Sequence, residues 1–267
     1  MTTEDVTSIH PSSIIETGAK IGAGCQIGPF CHVGSRVVLG DGVVLKSHVV
    51  VAGNTEIGND TIVFPFACIG EIPQDLKFAG EETSLVIGRR NRIREHVTMH
   101  TGTAGGGGIT RIGDDGLFMA GCHVAHDVQI GDRVIIVNNA ALAGHCIVED
   151  DAIIGGLVGV HQWVRIGRGA IIGAVTMVAN DVIPYGLVQA PRGELDGLNL
   201  IGLKRRGVSR SEISELRSAF RVLAKREGTF QDRASQLGRD NENRLVRDIV
   251  NFILVDSDRS FLTPNPE

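Results

Sequence analysis

The sequence predicts an all-β solenoid, a parallel β-helix of short strands, followed by a small α-helical domain. Three observations lead to this prediction: apolar residues recur every six positions, glycine is frequent, and the six-residue pattern stops after Val182. The chain has 35 glycines among 267 residues and a formal net charge of −5. Against an average glycine content of about 7%, this composition suits a chain that turns often and tightly.

The six-residue pattern places an apolar side chain at every sixth position over residues 9–69, 87–99 and 112–178. A helix has a period of 3.6 and a strand a period of 2, so neither explains a period of six. A hexapeptide solenoid does, because three six-residue units close one triangular coil of about 18 residues. A small or β-branched residue recurs four places after each apolar one. We interpret the cysteines in this inward position as buried small hydrophobes; they are Cys25, Cys31, Cys122 and Cys146.

Composition excludes several classes of protein. Five cysteines are an odd number, which argues against a disulfide framework and fits a reducing cytoplasm. The amino end, MTTEDVTSIH, lacks the basic and apolar regions of a secretory signal. No apolar run approaches the roughly 18 residues of a membrane span. The near-balanced charge favours neither nucleic acid nor an anionic membrane, so we expect a cytoplasmic protein without an integral membrane segment.

The breaks in the pattern indicate the domain organisation. We predict a solenoid over residues 1–191, interrupted by excursion loops at about 71–85 and 100–111, and a helical domain over 192–267. Ser209 and Glu212 form a capping-box pattern at the start of a helix. Apolar residues then follow a helical spacing at Ile213, Leu216, Phe220 and Leu223, and a later apolar helix covers 245–254. Such a domain would cover the last coil, because solenoids need capped ends.

Three of the nine histidines fall near one column of the solenoid. Positions 18 apart stack, so residues 144 and 162 lie above His126, next to His145 and His161. Asp127 lies directly beneath His145 in the same count. Together with nearby polar residues, this clustering predicts a functional site; the polar residues are Asp127, Asn138, Asn139 and Gln162.

A zinc site is the competing interpretation of the histidine column. Zinc commonly takes three protein ligands, and three stacked imidazoles could converge on it. However, His145 and His161 are offset from the column in opposite directions, and no cysteine outside the core joins them. We therefore predict no metal.

Longer motifs add a resemblance to a known family. The segments CHVAHD, NNAALAGH, GGLVGVHQW, IGEIPQDLKFAGE, NRIREHVTMHTGT and GLNLIGLKRRG resemble the motifs of the UDP-N-acetylglucosamine acyltransferases, in order and over essentially the whole chain. The resemblance implies a left-handed β-helix and a cytoplasmic homotrimer with active sites between adjacent prisms. It also implies transfer of a 3-hydroxyacyl group from acyl carrier protein to the 3-hydroxyl of UDP-N-acetylglucosamine, the first step of lipid A (lipopolysaccharide) synthesis. No cofactor is expected.

The resemblance also assigns roles to residues. His126 is the general base, Asp127 orients it, and Gly144 supplies a backbone N–H to the oxyanion. The implied substrate-binding residues are Asp75, Lys77, His100, His123, His145, His161, Gln162, Asn199 and Arg205. Asn199 and Arg205 would face the nucleotide. The basic run 204–206, with Arg165 and Arg168, could attract the acidic carrier protein.

Two positions depart from the family pattern. Ile201 stands where the family commonly has an acidic residue, which puts any nucleotide contact of that residue in doubt. Ala174 stands where the best-known relatives have a glycine lining the acyl groove. An added methyl group would narrow the groove, so we predict a preference for a shorter acyl chain.

Three alternatives remain open at the level of sequence. The related UDP-3-O-acylglucosamine N-acyltransferase shares the solenoid and histidine but carries a domain before the repeats, for which the ladder beginning at Ile9 leaves no room. A variant enzyme that acylates a 3-amino sugar is not excluded. A non-catalytic solenoid that presents a flat surface to a partner predicts dispensable imidazoles.

Overall fold

The computed structural model describes residues 6–189, 194–225, 227–255, 257 and 259–264. The boundary predicted between residues 191 and 192 lies outside the described residues. The described chain begins with a triangular prism of short strands and continues into four helices.

The prism has three faces, each a sheet of strands from successive coils. Face 1 contains Ser8–Ile9, Gln26–Ile27, Val44–Leu45, Ile62–Val63, Arg92–Ile93, Leu117–Phe118, Ile135–Ile136, Ile153–Ile154, Ile171–Ile172, Gly186–Gln189 and Glu194–Leu198. Face 2 contains Ile14–Ile15, His32–Val33, Val50–Val51, Cys68–Glu71, Thr98–His100, His123–Val124, Ala141–Leu142, Gly159–Val160 and Met177–Val178. Face 3 contains Lys20–Ile21, Val38–Leu39, Asn54–Ile57, Ser84–Ile87, Ile109–Ile112, Gln129–Ile130, Ile147–Val148 and Arg165–Ile166.

The strand register confirms the coil of 18 residues. Outside the excursions and before the last coil, each strand residue pairs in parallel with the one 18 positions later, as Ile130 does with Val148. The last coil is shorter, because Ile171 pairs with Leu187. The chain runs from face 1 to face 2 to face 3, so each coil has three corners, which we name corner 1/2, corner 2/3 and corner 3/1 after the faces they join. Residues 18 apart therefore occupy the same corner, and their side chains stack.

The interior contains the two sets of residues that the pattern predicts. Val33, Leu39 and Leu45 are at most 2% exposed. The four cysteines in the small inward position are equally buried. Burial raises the pKa of the Cys122 and Cys146 thiols to about 12, because the thiolate would lose its hydration. The prediction that these cysteines are buried small residues is confirmed.

Both irregular segments leave the prism at corner 2/3. Residues 72–83 follow the face 2 strand Cys68–Glu71 and precede the face 3 strand Ser84–Ile87. Residues 101–108 occupy the same place one coil later and include a 3₁₀ turn, Ala104–Gly106. The next coil carries the turn at His126 and Asp127 at this corner, so both segments lie beside the histidines.

In the described part of the chain after the solenoid there are four helices: α1 (Leu200–Arg205), α2 (Arg210–Ala224), α3 (Phe230–Asp240) and α4 (Arg244–Leu254). The predicted capping box opens α2, where the Ser209 hydroxyl accepts the Glu212 N–H and the Ser209 N–H donates to the Glu212 carboxylate. The predicted face of α2 packs inward, with Phe220 only half-buried. Helix α3 was not predicted, because few of its residues are apolar, although Phe230, Ala234 and Leu237 recur at helical spacing and pack inward.

The carboxyl-terminal segment returns to the last coils of the prism. Asp181 N–H donates to the Ser260 carbonyl, and Leu262 N–H donates to the Asp181 carbonyl. The Asp181 carboxylate is fully buried and pairs with Arg165 at 2.7 Å. Arg165 is thus a largely buried cation whose charge is paired within the chain and whose guanidinium also lies over the Phe252 ring. Among the described residues, no helix has the length and apolar composition needed to span a bilayer.

Candidate active site

The predicted histidine cluster forms at corner 2/3 over three successive coils. His126 and Asp127 make the first turn, Gly144 and His145 the second, and residues 162–163 the third. The backbone N–H of His145 donates a hydrogen bond to the backbone carbonyl of His126 at 3.0 Å, and this bond joins the first two turns. The 18-residue repeat therefore brings these side chains together although they are distant in sequence.

His126 and Asp127 form a hydrogen-bonded pair. His126 Nδ1 lies 2.8 Å from Asp127 Oδ2, and the two residues are 6% and 4% exposed. Burial strengthens this contact, because water competes weakly for it. A carboxylate on one ring nitrogen fixes the plane of the imidazole and leaves the other nitrogen, Nε2, for a substrate.

Two threonines near the second excursion also hold Asp127. Thr103 donates its N–H to Oδ1 at 2.8 Å and its hydroxyl to Oδ2 at 2.6 Å. The Thr110 hydroxyl accepts the Asp127 N–H at 2.8 Å. Neither threonine was predicted from sequence. Thr110 lies in the face 3 strand Ile109–Ile112, in the small inward position of the six-residue pattern, and nothing in that pattern marks it as a partner of Asp127. Thr103 lies in the irregular segment 101–108, which has no period that would place it. Only the corner at which the segment leaves the prism indicates that it meets Asp127.

His145 lies above the pair and is held by an aromatic ring. Its Nδ1 is 3.6 Å from Asp127 Oδ2, and its ring stands edge-on to the His126 ring with centroids 4.9 Å apart. The Trp163 indole stacks on the other side of His145, with centroids 3.7 Å apart and planes 4° from parallel. Burial lowers the pKa of His145, and the nearby Asp127 charge opposes this shift. Trp163 was not predicted, although it lies 18 residues beyond His145.

His100 and His123 lie on face 2 beside His126. Their rings meet edge to face with centroids 5.1 Å apart, and His123 Nδ1 is 2.7 Å from the Thr98 hydroxyl. Burial lowers the pKa of His123 to about 4, and it also lowers the pKa of His100. Both imidazoles are therefore neutral at neutral pH and can serve as hydrogen-bonding groups rather than cations.

A cavity of about 450 Å³ opens on face 2 in front of His126. Small residues, Ala141 and Gly159, form part of its floor, and Met177 lies one coil further along. Its other lining residues include Gln74, His123, Ala143, Gly144, His161 and Gln162. The cavity thus presents polar groups near His126 and an apolar strip that leads away from it along the prism.

Gly144 has no side chain that would collide with the His126 ring, and its backbone N–H is available as a hydrogen-bond donor. A Cβ atom at residue 144 would lie 2.4 Å from His126 Cε1 and 2.6 Å from Nε2. The N–H groups of the neighbours, Ala143 and His145, donate to backbone carbonyls, whereas that of Gly144 donates to no acceptor within the described part of the chain. A carbonyl oxygen placed beside His126 would therefore find an unused donor.

The first excursion approaches the same corner. Gln74 lines the cavity, and the charges of Asp75 and Lys77 act on His145 with opposite signs. Lys77 N–H is tied back to the Asp75 side chain at 3.0 Å. The structure thus brings together, near corner 2/3, the predicted base and seven of the predicted substrate-binding residues. They are His126 and, for the substrate, Asp75, Lys77, His100, His123, His145, His161 and Gln162.

Comparisons with known proteins agree with this geometry. The family description "Udp N-acetylglucosamine O-acyltransferase; Domain 2" matches residues 181–262, and the six-repeat bacterial transferase hexapeptide family matches residues 18–53 and 109–144. The acyl-[acyl-carrier-protein]–UDP-N-acetylglucosamine O-acyltransferase of Paracoccus denitrificans is 67% identical over 205 residues, which are 77% of this chain and 78% of that protein.

The chain belongs to the UDP-N-acetylglucosamine O-acyltransferase family.

Other members of the family cover nearly the whole chain. The Agrobacterium fabrum enzyme of the same name is 44% identical over 96% of both chains. The solved UDP-N-acetylglucosamine acyltransferase from Campylobacter jejuni has a TM-score of 0.90 at 36% identity, covering 96% of this chain and 99% of its own. The resemblance found in the sequence and the left-handed β-helix with a helical domain are both confirmed.

Two predicted nucleotide-binding residues of this acyltransferase lie away from the histidines. Asn199 is the N-cap of α1: its Oδ1 accepts the Gly202 N–H at 2.9 Å, and its Nδ2 donates to the Gly169 carbonyl at 3.0 Å. Gly169 belongs to corner 3/1, so α1 and the exposed Arg205 at its end lie at that corner of the prism. The fold of the single chain does not bring Asn199 and Arg205 to His126.

Three further residues lie at corner 1/2. Asn138 and Asn139 form a turn at the far end of the strand Ala141–Leu142 from His145, so the expectation that they join the histidine cluster is wrong. The physical reason is that six residues move the chain to the next corner. Ala174 occupies the same corner two coils later and is exposed; Met177, not Ala174, lines the cavity.

Three side chains at corner 2/3 of this acyltransferase lie close enough together to ligate a metal ion. Donor atoms of His126, Asp127 and His145 lie within 4.8 Å of one another. However, Asp127 already accepts hydrogen bonds from Thr103 and His126, and His126 Nδ1 faces the carboxylate. We therefore assign these atoms to a hydrogen-bond network rather than to a cation.

Proposed function

We propose that this chain transfers a 3-hydroxyacyl group from acyl carrier protein to the 3-hydroxyl of UDP-N-acetylglucosamine, with His126 as the general base, in the first step of lipid A synthesis in the cytoplasm. The names of the Paracoccus and Agrobacterium relatives state the donor and the acceptor. The observation that carries the base assignment is the buried His126–Asp127 pair, whose free ring nitrogen lies against Gly144 at the cavity.

The chemistry requires one proton to move twice. His126 Nε2 takes the proton of the sugar 3-hydroxyl as the oxygen attacks the thioester carbonyl. The tetrahedral oxyanion accepts a hydrogen bond from the Gly144 N–H. When the C–S bond breaks, the imidazolium returns the proton to the leaving thiolate, so the products are the 3-O-acyl nucleotide sugar and the carrier thiol. Asp127 stabilises the transient imidazolium and remains ionised.

The neighbouring histidines suit the binding of neutral hydroxyl and amide groups. His100 and His123 are neutral because burial lowers the pKa of each. A neutral imidazole both donates and accepts, so it can bind a sugar hydroxyl without adding charge beside the base. Asp75 and Lys77 on the first excursion, with His161 and Gln162 on the next coils, complete the pocket for the sugar.

We further propose a homotrimer whose active sites lie between copies. Asn199 and Arg205 lie at corner 3/1, so they can meet the histidines at corner 2/3 only if they come from a neighbouring prism. Corner 1/2 carries exposed apolar side chains, which a second copy would remove from water; they are Phe30, Phe66, Leu157 and Val175. A symmetric assembly explains both observations.

The test is mass spectrometry of the product formed from UDP-N-acetylglucosamine and a mixture of 3-hydroxyacyl carrier proteins. We expect an O-acylated nucleotide sugar, with the rate lowered about 100-fold or more in His126→Ala. His10→Asn, at an exposed histidine of the first coil, is the matched control and should behave like the wild type. Retained turnover in a folded His126→Ala variant, or acylation of a 3-amino analogue alone, would overturn the proposal.

A further inference from the structure

Thr103 contacts the Asp127 carboxylate with both of its polar groups. The N–H donates to Oδ1 and the hydroxyl donates to Oδ2, and both residues are more than nine-tenths buried. Hydrogen bonds to a charged acceptor are stronger than those between neutral groups. Residues 101–108 are therefore tied to the carboxylate at a defined point and do not behave as a free linker.

The glycines of this segment allow the close approach. A Cβ atom at Gly106 would lie 2.0 Å from Asp127 Cγ, and one at Gly102 would lie 2.7 Å from Asp127 Oδ1. By contrast, a Cβ atom at Gly105 would meet nothing within 4 Å. The run of glycines is thus required at particular positions, where the backbone packs directly on the carboxylate.

Two imidazoles compete for one oxygen of Asp127. His126 Nδ1 lies 2.8 Å from Oδ2, and His145 Nδ1 lies 3.6 Å from the same atom. A carboxylate oxygen offers about two lone-pair directions. The Thr103 hydroxyl and His126 fill both of them, which leaves none for His145.

We propose that residues 101–108 act as a clamp that commits Asp127 to His126 rather than to His145, with Thr103 as the positioning residue. This inference rests on the proposed role of His126 as the base. Without the Thr103 hydroxyl, one lone pair of Asp127 Oδ2 becomes free to accept a hydrogen bond from His145. Asp127 is then shared between two rings, and the His126 ring loses its fixed orientation.

The first test compares two substitutions at one position. Thr103→Val removes the hydroxyl but keeps the shape and the backbone N–H, whereas Thr103→Ser keeps both hydrogen bonds. We expect Thr103→Val to lower kcat roughly 10- to 100-fold, as for loss of one hydrogen bond to a charged group. The KM values should change little, because Thr103 lies behind the carboxylate, and Thr103→Ser should restore kcat to within about threefold.

A pH profile separates positioning from a general loss of structure. The ionisable groups around the pair are His145 on the next coil, His100 and His123 on face 2, and Asp75 and Lys77 on the first excursion. Arg165 and Arg259 line the cavity that also contains Asp127 and His145. None of them changes in Thr103→Val. His145 Nδ1 lies 3.6 Å from Oδ2 and replaces the 2.6 Å bond of the Thr103 hydroxyl only weakly. The carboxylate therefore attracts the imidazolium proton of His126 more strongly, and the acidic limb of kcat/KM should move to higher pH. A purely structural role would lower the plateau without moving the limb.

The second test uses the glycines of the same segment. Gly106→Ala should displace the clamp and reproduce the loss of kcat, while Gly105→Ala should retain wild-type kinetics. The inference is overturned if folded Thr103→Val keeps the wild-type kcat and pH profile, or if Gly105→Ala and Gly106→Ala are equally active. If Thr103→Val does not fold, the comparison of Gly105→Ala with Gly106→Ala tests the inference instead. His126→Ala, assayed beside them, tests the base itself, so failure of the clamp and failure of the proposed function give different results.

Discussion

Gly144 lies against the His126 imidazole so closely that no side chain fits between them. A Cβ atom at residue 144 would approach His126 Cε1 to 2.4 Å. The imidazole ring cannot move away from Gly144 without breaking the hydrogen bond between its Nδ1 and the buried Asp127. The position of the base is therefore set from one side by a carboxylate and from the other by the absence of a side chain.

The first prediction follows from this contact. Gly144→Ala should lower kcat/KM by at least about 100-fold, because the added methyl group displaces the ring from its productive position. The matched control is Gly34→Ala, at corner 2/3 of an early coil away from the histidines, where a Cβ atom would have ordinary contacts of 3.5 and 3.8 Å. We expect the control to keep its activity and melting temperature. Equal activity of the two variants would contradict the role given to Gly144.

The coil of 18 residues, and with it the stacking of His145 on Asp127, was predictable because a period survives in the sequence. The Thr103–Asp127 contact was not, since it forms where the period is interrupted. Asn138 and Asn139 show a different limit: they are near His145 in sequence but lie at another corner, because six residues suffice to turn the chain. Asn199 was expected beside the nucleotide from resemblance alone, and its two hydrogen bonds within the chain depend on how α1 meets the prism.

The second prediction concerns stability at acid pH. Burial lowers the pKa of His123 to about 4, below the ordinary value of about 6.5. As the pH falls below 6.5, the unfolded chain binds a proton that the folded chain does not, so folding stability is lost progressively until about pH 4. Above pH 6.5 the His123 imidazole is neutral in both the folded and the unfolded chain, so it does not change the pH dependence of the free energy of unfolding. Melting temperatures should therefore fall over this window, and less steeply in His123→Asn. His10→Asn is the control, and its pH dependence should match the wild type.

The third prediction concerns the length of the acyl chain. Ala141 and Gly159 form a low floor in the cavity, and the exposed Met177 side chain stands on the next coil of the same face. If the acyl chain follows this strip, Met177 limits its length more directly than Ala174 does. Met177→Ala should shift the preferred donor toward longer chains in competition between hydroxyacyl carrier proteins, and Ala174→Gly should do so less. An unchanged product distribution in Met177→Ala would place the acyl chain elsewhere.

The fourth prediction separates the structural and binding roles of Asn199. Its side chain caps α1 and also satisfies the Gly169 carbonyl inside the protein. Asn199→Ala removes both bonds, so we expect a loss of about 2 kcal/mol or more in the free energy of unfolding. Thr229→Ala, which removes only the exposed cap of α3, should cost about 1 kcal/mol.

Kinetics then decide what the cap does for the reaction. Helix α1 carries Arg205, so a loosened cap should raise the KM for UDP-N-acetylglucosamine while kcat changes little. Arg205→Ala should raise the same KM without lowering the free energy of unfolding, because its side chain is exposed. If Asn199→Ala costs no more stability than Thr229→Ala but still raises the KM, the amide contacts the nucleotide directly, and its internal bonds are not what matters for binding.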